Sequence, residues 1–158
     1  MAPTPPTVET IPNDPAVLAA VFDAVVAAGR GWVNVVPELP EGTEVPATPN
    51  ALAVFNKRGP VVPLGTWVPP SAGRRGETPA EIGIQHGTSM KGTEALADSD
   101  AAVPPDWRVF SDHPRKGTSV QPPPGTTTLQ EATWLLAALV RLCLPPHTGR
   151  FIVARYDG

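Results

Sequence analysis

Cysteine is nearly missing. Cys143 is the only one in 158 residues, so no intrachain disulfide can staple the chain and its stability must come from a packed core. That usage fits a reducing compartment. Charge is scarce as well: Asp, Glu, Lys and Arg make up 17% of the residues and almost balance, leaving a formal charge of −3. A nucleic-acid partner, which needs a basic surface, is therefore not expected. Long apolar runs are also missing. The longest, residues 129–144, is interrupted by Arg141 and falls short of the ~20 residues of a membrane span, so no membrane partner is expected. Residues 1–12 carry neither the basic start nor the apolar stretch of a secretory signal. The expectation is a cytoplasmic protein, and its Arg-, Ala-, Pro- and Gly-rich usage is that of a GC-rich bacterial genome.

Proline is abundant. Twenty-two residues are Pro, and they gather in clusters: Pro5-Pro6, Pro69-Pro70, Pro104-Pro105, Pro122-Pro123-Pro124 and Pro145-Pro146. Proline fixes φ and has no N–H, which excludes it from helix interiors and central strands. The clusters therefore border the folded elements, and the windows between them hold most of the apolar residues. A hydrophobic content of 41% is enough for one core, and the length suits one domain. The organisation expected is a flexible Pro/Thr-rich tail over residues 1–13 and a single domain over 14–158.

Asp14-Pro15 is a helix start, with an N-cap carboxylate followed by proline in the first turn. Val17, Leu18, Val21, Phe22, Val25 and Val26 then form one stripe, and Gly29 stops the helix. Residues 32–36 read as a strand ended by Pro37. Residues 51–55 and 61–68 read as a hairpin turning at Asn56-Lys57-Arg58-Gly59, with Pro63 pointing to an edge strand or a bulge. Residues 69–79 read as a mobile basic loop. Residues 81–86 alternate as a strand, 94–98 form a helical turn, and 107–113 with 117–121 form a second hairpin. Thr128 and Glu131 match a capping box opening a helix to about residue 142. A last strand covers 150–156. This order predicts an α+β fold: a mixed, mainly antiparallel sheet of five to seven strands with two helices packed on one face.

Two segments invite a chemical reading. In Gly83-Ile84-Gln85-His86-Gly87-Thr88-Ser89-Met90-Lys91-Gly92, a strand ends in a glycine-punctuated loop. Ser89, Lys91 and backbone N–H groups there could surround an anion, although the Gly-Lys-[Ser/Thr] end of a phosphate loop is absent. In Asp112-His113-Pro114-Arg115-Lys116-Gly117, strand alternation turns Asp112 away from His113. The same alternation places His86 with Ile82 and Ile84, and His113 with Trp107, Val109 and Ser111. If those strands are neighbours, the two imidazoles meet as an acid–base pair, with Lys91 or Arg115 on an anionic substrate. A metal would need His147 or Asp112 as a third ligand, and no metal-ligand spacing is present, so neither metal nor cofactor is expected. Cys143 lies on an apolar helix stripe and reads as an inert core thiol. The four tryptophans read as core or interface.

The strings Arg58-Gly59-Pro60, Pro63-Leu64-Gly65-Thr66-Trp67-Val68-Pro69, Gly83-Ile84-Gln85-His86-Gly87, Asp112-His113-Pro114-Arg115-Lys116-Gly117 and Thr148-Gly149-Arg150 resemble a group of small uncharacterised actinobacterial proteins. That resemblance spans about residues 37–156. It implies a bacterial cytoplasmic protein and assigns no activity to any residue.

Two helices cover only one face of such a sheet. The uncovered face and the Pro-rich loops make a non-catalytic binding or protein-interaction domain the leading expectation, with a second copy or another protein as partner. The alternative is a small enzyme built on His86 and His113.

Overall fold

The computed structural model describes residues 4–43, 60–74 and 76–158. The chain runs β1 (Thr7–Pro12), α1 (Pro15–Ala28), β2 (Trp32–Pro37), β3 (Leu64–Val68), β4 (Ser71–Gly73), β5 (Gly76–Thr78), β6 (Glu81–Gln85), α2 (Gly92–Leu96), β7 (Arg108–His113), β8 (Gly117–Gln121), α3 (Thr128–Leu142) and β9 (Arg150–Tyr156). Seven strands make one sheet in the order β1-β9-β2-β3-β6-β8-β7, and β4 pairs with β5 in a small separate hairpin. Every pairing is antiparallel. The fold is α+β, as its pattern of elements predicts, although no parallel pair is found among the described strands.

The helices start and stop where local chemistry says. Asp14 Oδ1 accepts from Ala16 N at 2.9 Å, and Gly29 takes a left-handed φ of 73° after the last turn of α1. Leu18, Phe22 and Val25 are fully buried, whereas Val26 at the end of the stripe is 45% exposed. The core lies between the two long helices and one sheet face. Val33, Val35, Trp67, Ile82, Ile84, Val120, Phe151 and Val153 meet the α1 residues and Leu135, Leu136, Leu139 and Leu142 of α3. Trp67 lies at its centre, stacked on Phe22 with ring centroids 4.1 Å apart. Gly65 lets α3 approach the sheet, since a Cβ there would stand 2.8 Å from Leu135 Cδ1.

The structure corrects several expectations. Residues 7–12 of the expected tail are strand β1, which pairs with β9 along its whole length. Only Ile11 of β1 is buried, so the strand has no hydrophobic alternation to announce it, and its partner lies some 140 positions away in sequence. β3 is a central strand between β2 and β6, and Pro63 stands just before it, where no ladder N–H is needed. The proposed hairpin partner at 51–55 and the turn at 56–59 lie outside the described residues. Part of the expected loop at 69–79 is the β4–β5 hairpin.

The capping box sits one residue earlier than the pattern Thr128/Glu131 suggests. Thr127 Oγ1 accepts from Gln130 N at 3.1 Å, and Gln130 Oε1 accepts from Thr127 N at 2.8 Å. Thr128 instead donates its hydroxyl to Asp23 of α1 at 2.7 Å. The shift rotates Leu129 outward and Glu131 inward. Thr127→Ala is expected to destabilise the protein by about 1 kcal/mol, and Thr128→Ala, on an exposed bond, by less. Urea denaturation of the two variants checks the register of the cap.

Candidate functional site

β6 carries Ile82 and Ile84 toward the helices, and His86, the residue just after the strand, continues that facing, as alternation predicts, and is 1% exposed. Its Nδ1 lies 3.0 Å from Thr88 Oγ1, while Nε2 is buried with no hydrogen-bond partner. Burial holds the imidazole below its usual pKa, partly offset by the charge of Asp112, so the ring is neutral at neutral pH. Beyond it the chain turns sharply. Ser89 has a φ of 65°, a left-handed conformation that costs a non-glycine residue about 1 kcal/mol. Gly92 then presses onto the sheet: a Cβ there would meet Thr118 Oγ1 at 2.2 Å and His86 Nε2 at 3.4 Å. Ser89 and Lys91 are exposed.

β7 departs from simple alternation. Val109 faces Val120 and Ser111 faces Ser119, so Phe110 is the extra residue of a β-bulge. The bulge inverts every side chain after it. Asp112, opposite Thr118, turns toward the helix layer, and His113, opposite Gly117, turns to the other face. Asp112 there ties three elements together. Its carboxylate accepts from Thr118 Oγ1 at 2.9 Å, from Thr93 N at 3.4 Å and from Thr93 Oγ1 in a short bond. The α2 segment is thereby locked onto the β7–β8 hairpin.

His86 and His113 are consequently on opposite faces of the sheet and do not form a pair. Each of the three histidines organises the turn that follows it. His86 Nδ1 bonds to the Thr88 hydroxyl. His113 Nδ1 accepts from Arg115 N at 3.0 Å and Lys116 N at 3.2 Å, and His147 Nδ1 accepts from Gly149 N at 3.2 Å. Arg115 is exposed beside that turn. Among the described residues no group of three or more His, Cys, Asp or Glu side chains is placed to hold a metal, and no helix is long and apolar enough to cross a membrane. Cys143 follows α3, partly buried, with its thiol donating to Pro145 O at 3.4 Å and its pKa raised by desolvation, as suits an unreactive thiol.

Among the described residues, none of the three helices covers the other face of the sheet. Its central cross-strand row reads Val8, Ala154, Asn34, Thr66, Gly83, Ser119, Ser111 across all seven strands. No member of the row is charged, and none is a long or aromatic side chain. Thr66 Oγ1 donates to Asn34 Oδ1 at 2.9 Å, which pairs the Thr66 hydroxyl with the Asn34 amide oxygen within the face. At one end Trp32 stacks on Tyr156 with centroids 4.8 Å apart, next to Val68, which is 41% exposed. Trp32 is itself 37% exposed, unlike Trp67, Trp107 and Trp134 in the core.

One ionisable residue of interest escaped the sequence reading because it was assigned to the helix cap. Glu131 is only 3% exposed. Its Oε1 accepts from Trp67 Nε1 at 3.3 Å, and burial raises its carboxyl from an ordinary 4.5 to about 7, the indole bond acting the other way. The available signal was the neighbouring cap pattern Thr127/Gln130, which fits the same rule and leaves Glu131 facing the core. Compared with known proteins, the chain matches no family model, no curated protein and no solved structure.

Proposed function

We propose that this protein is a non-catalytic interaction domain that pairs with a second copy of itself through the sheet face opposite its helices. The uncharged central row of that face carries the reading. A two-fold interface sets the same patch against itself, so any charge near the axis meets its own copy, and like charges in apposition are strongly unfavourable. A row of seven uncharged, small side chains avoids that repulsion and is flat enough for sheets to stack at the usual ~10 Å. The Trp32–Tyr156 stack and Val68 supply the apolar, aromatic contact area typical of interface centres. The uses found for the three histidines, each holding a local turn, support a binding role over an acid–base one.

Sedimentation velocity across a concentration series tests this. The expected result is a monomer–dimer equilibrium, weakened at least about tenfold in Thr66→Glu, which places a charge at the centre of the row. Thr66 is partly buried on that face and bonded to Asn34, so a cooperative thermal unfolding transition of the monomeric variant would show that folding is intact. A natural sequence that stays monomeric at every concentration removes the self-association reading.

A further inference from the structure

On the helix side of the sheet, a cavity of about 200 Å³ lies where α1, the start of α3 and the two proline segments converge. Five of its twelve lining residues are prolines: Pro70, Pro79, Pro122, Pro123 and Pro124. Prolines offer carbonyl acceptors and no N–H donors. The polar side chains in the wall are Asp23, Glu131, Thr126 and Thr128. Both threonine hydroxyl protons are already donated, Thr126 to Pro123 O at 2.7 Å and Thr128 to Asp23 Oδ1 at 2.7 Å. Glu131 uses Oε1 for Trp67, and Oε2 makes no hydrogen bond among the described residues. An adjoining hollow, which shares Pro70, Pro79 and Pro124 with the cavity, adds the carboxylate of Glu77. No lysine or arginine lines either one among the described residues.

The cavity itself thus presents the carboxylates of Asp23 and Glu131 and, among the described residues, no lysine, arginine or uncommitted hydroxyl, while the adjoining hollow adds Glu77 with the hydroxyls of Ser71 and Thr78. A bound anion would find no side-chain partner among the described residues of the cavity itself, and a neutral acceptor would fare no better. A donor-rich cation satisfies all of these groups at once, because a guanidinium or primary ammonium brings several N–H donors and a positive charge. The apolar proline rings suit the carbon stem behind such a head group. We propose that this cavity is a binding site for a small organic cation of the guanidinium or primary-amine type, with Glu131 as its principal charge partner and Asp23 at its mouth. The site lies on the helix layer and stands or falls apart from the sheet-face reading.

Proton linkage supplies a signature. A cation binds the ionised form of Glu131, whose carboxyl titrates near 7. Among the described residues, Asp23 on α1 is the only other ionisable group in the cavity wall, and Trp67 of β3 is the hydrogen-bond partner beneath. Acidification therefore removes the competent form and weakens binding.

The test is a titration of the natural protein with methylguanidinium at low millimolar concentrations, followed by the indole N–H resonance of Trp67 in nitrogen-15 spectra. Urea serves as the uncharged, donor-rich control, and tetramethylammonium as the cation without donors. The expected result is a saturable shift at pH 8 that methylguanidinium produces and the two controls do not, with affinity at least about tenfold weaker at pH 5.5. Glu131→Gln keeps an acceptor for Trp67 and should lose the response while still folding. Asp23→Asn, at an exposed position, should weaken it by about threefold. The proposal is overturned by a non-saturable shift, by an equal response to urea or tetramethylammonium, by binding that strengthens on acidification, or by a full response in Glu131→Gln.

Discussion

At pH 8, Glu131→Gln is expected to be more stable than the natural protein by roughly 3 kcal/mol, and at pH 4 the two are expected to coincide. The reasoning follows from burial. Glu131 is 3% exposed with one indole donor, and its carboxyl titrates at about 7 in the folded protein against an ordinary 4.5. Below pH 4.5 both the folded and unfolded chains hold the proton, and nothing is lost. Between 4.5 and 7 the unfolded chain releases it first, so stability falls steadily as pH rises. Above 7 both states are ionised and the full penalty remains. An amide at this position has no charge to desolvate and still accepts from Trp67. Urea denaturation from pH 4 to pH 9 reads the difference directly, and two parallel stability curves would rule out the buried-carboxylate account. A chain that keeps a group so unfavourable to folding at neutral pH gives up stability at a place where a bound cation would restore it, the trade-off usual at binding sites.

Asp112→Ala is expected to destabilise the protein by roughly 3 kcal/mol, whereas His113→Ala one residue along should change stability by less than about 1 kcal/mol. Asp112 accepts from Thr118 Oγ1, Thr93 N and Thr93 Oγ1. Removing it leaves the hydroxyl of Thr118, itself 4% exposed, without its acceptor, and unlocks α2 from the β7–β8 hairpin. His113 is exposed and only caps its turn. Thermal unfolding of the pair separates the two roles. A larger loss in His113→Ala would mean that the bulge at Phe110 does not set the facing of these side chains.

That bulge also marks the boundary of what the residues alone reveal. Strand alternation placed Ile82, Ile84 and His86 correctly, because β6 pairs without interruption on both sides. The same rule applied to Val109, Ser111 and His113 failed, because one extra residue in β7 reverses the facing of all that follow, and nothing local distinguishes Phe110 from a regular strand residue. A similar one-position ambiguity affected α3. Thr127/Gln130 and Thr128/Glu131 both satisfy the capping pattern, and the choice decides whether a glutamate is solvated or buried. The edge strand β1 was hidden for a different reason. With a single buried side chain, Ile11, it is held by ladder hydrogen bonds to β9, and a backbone ladder leaves no trace in side-chain order.

The sequence by itself determined the borders of α1, β2, β6, β8, α3 and β9, since proline clusters cannot be accommodated inside a helix or a central strand. It determined the helix starts at Asp14-Pro15 and in the Thr-rich segment before α3, because caps are local chemistry. It also determined the α+β class, because the apolar periods are local too. Only the tertiary structure decided which strands are neighbours, that β1 closes one edge, that His86 and His113 face apart, and that Glu131 meets Trp67 beneath a proline-lined cavity. Those facts depend on register between segments far apart in the chain. A single-residue shift in register reverses the exposure of a strand side chain or turns a helical one by about 100°, while the composition and local pattern stay the same.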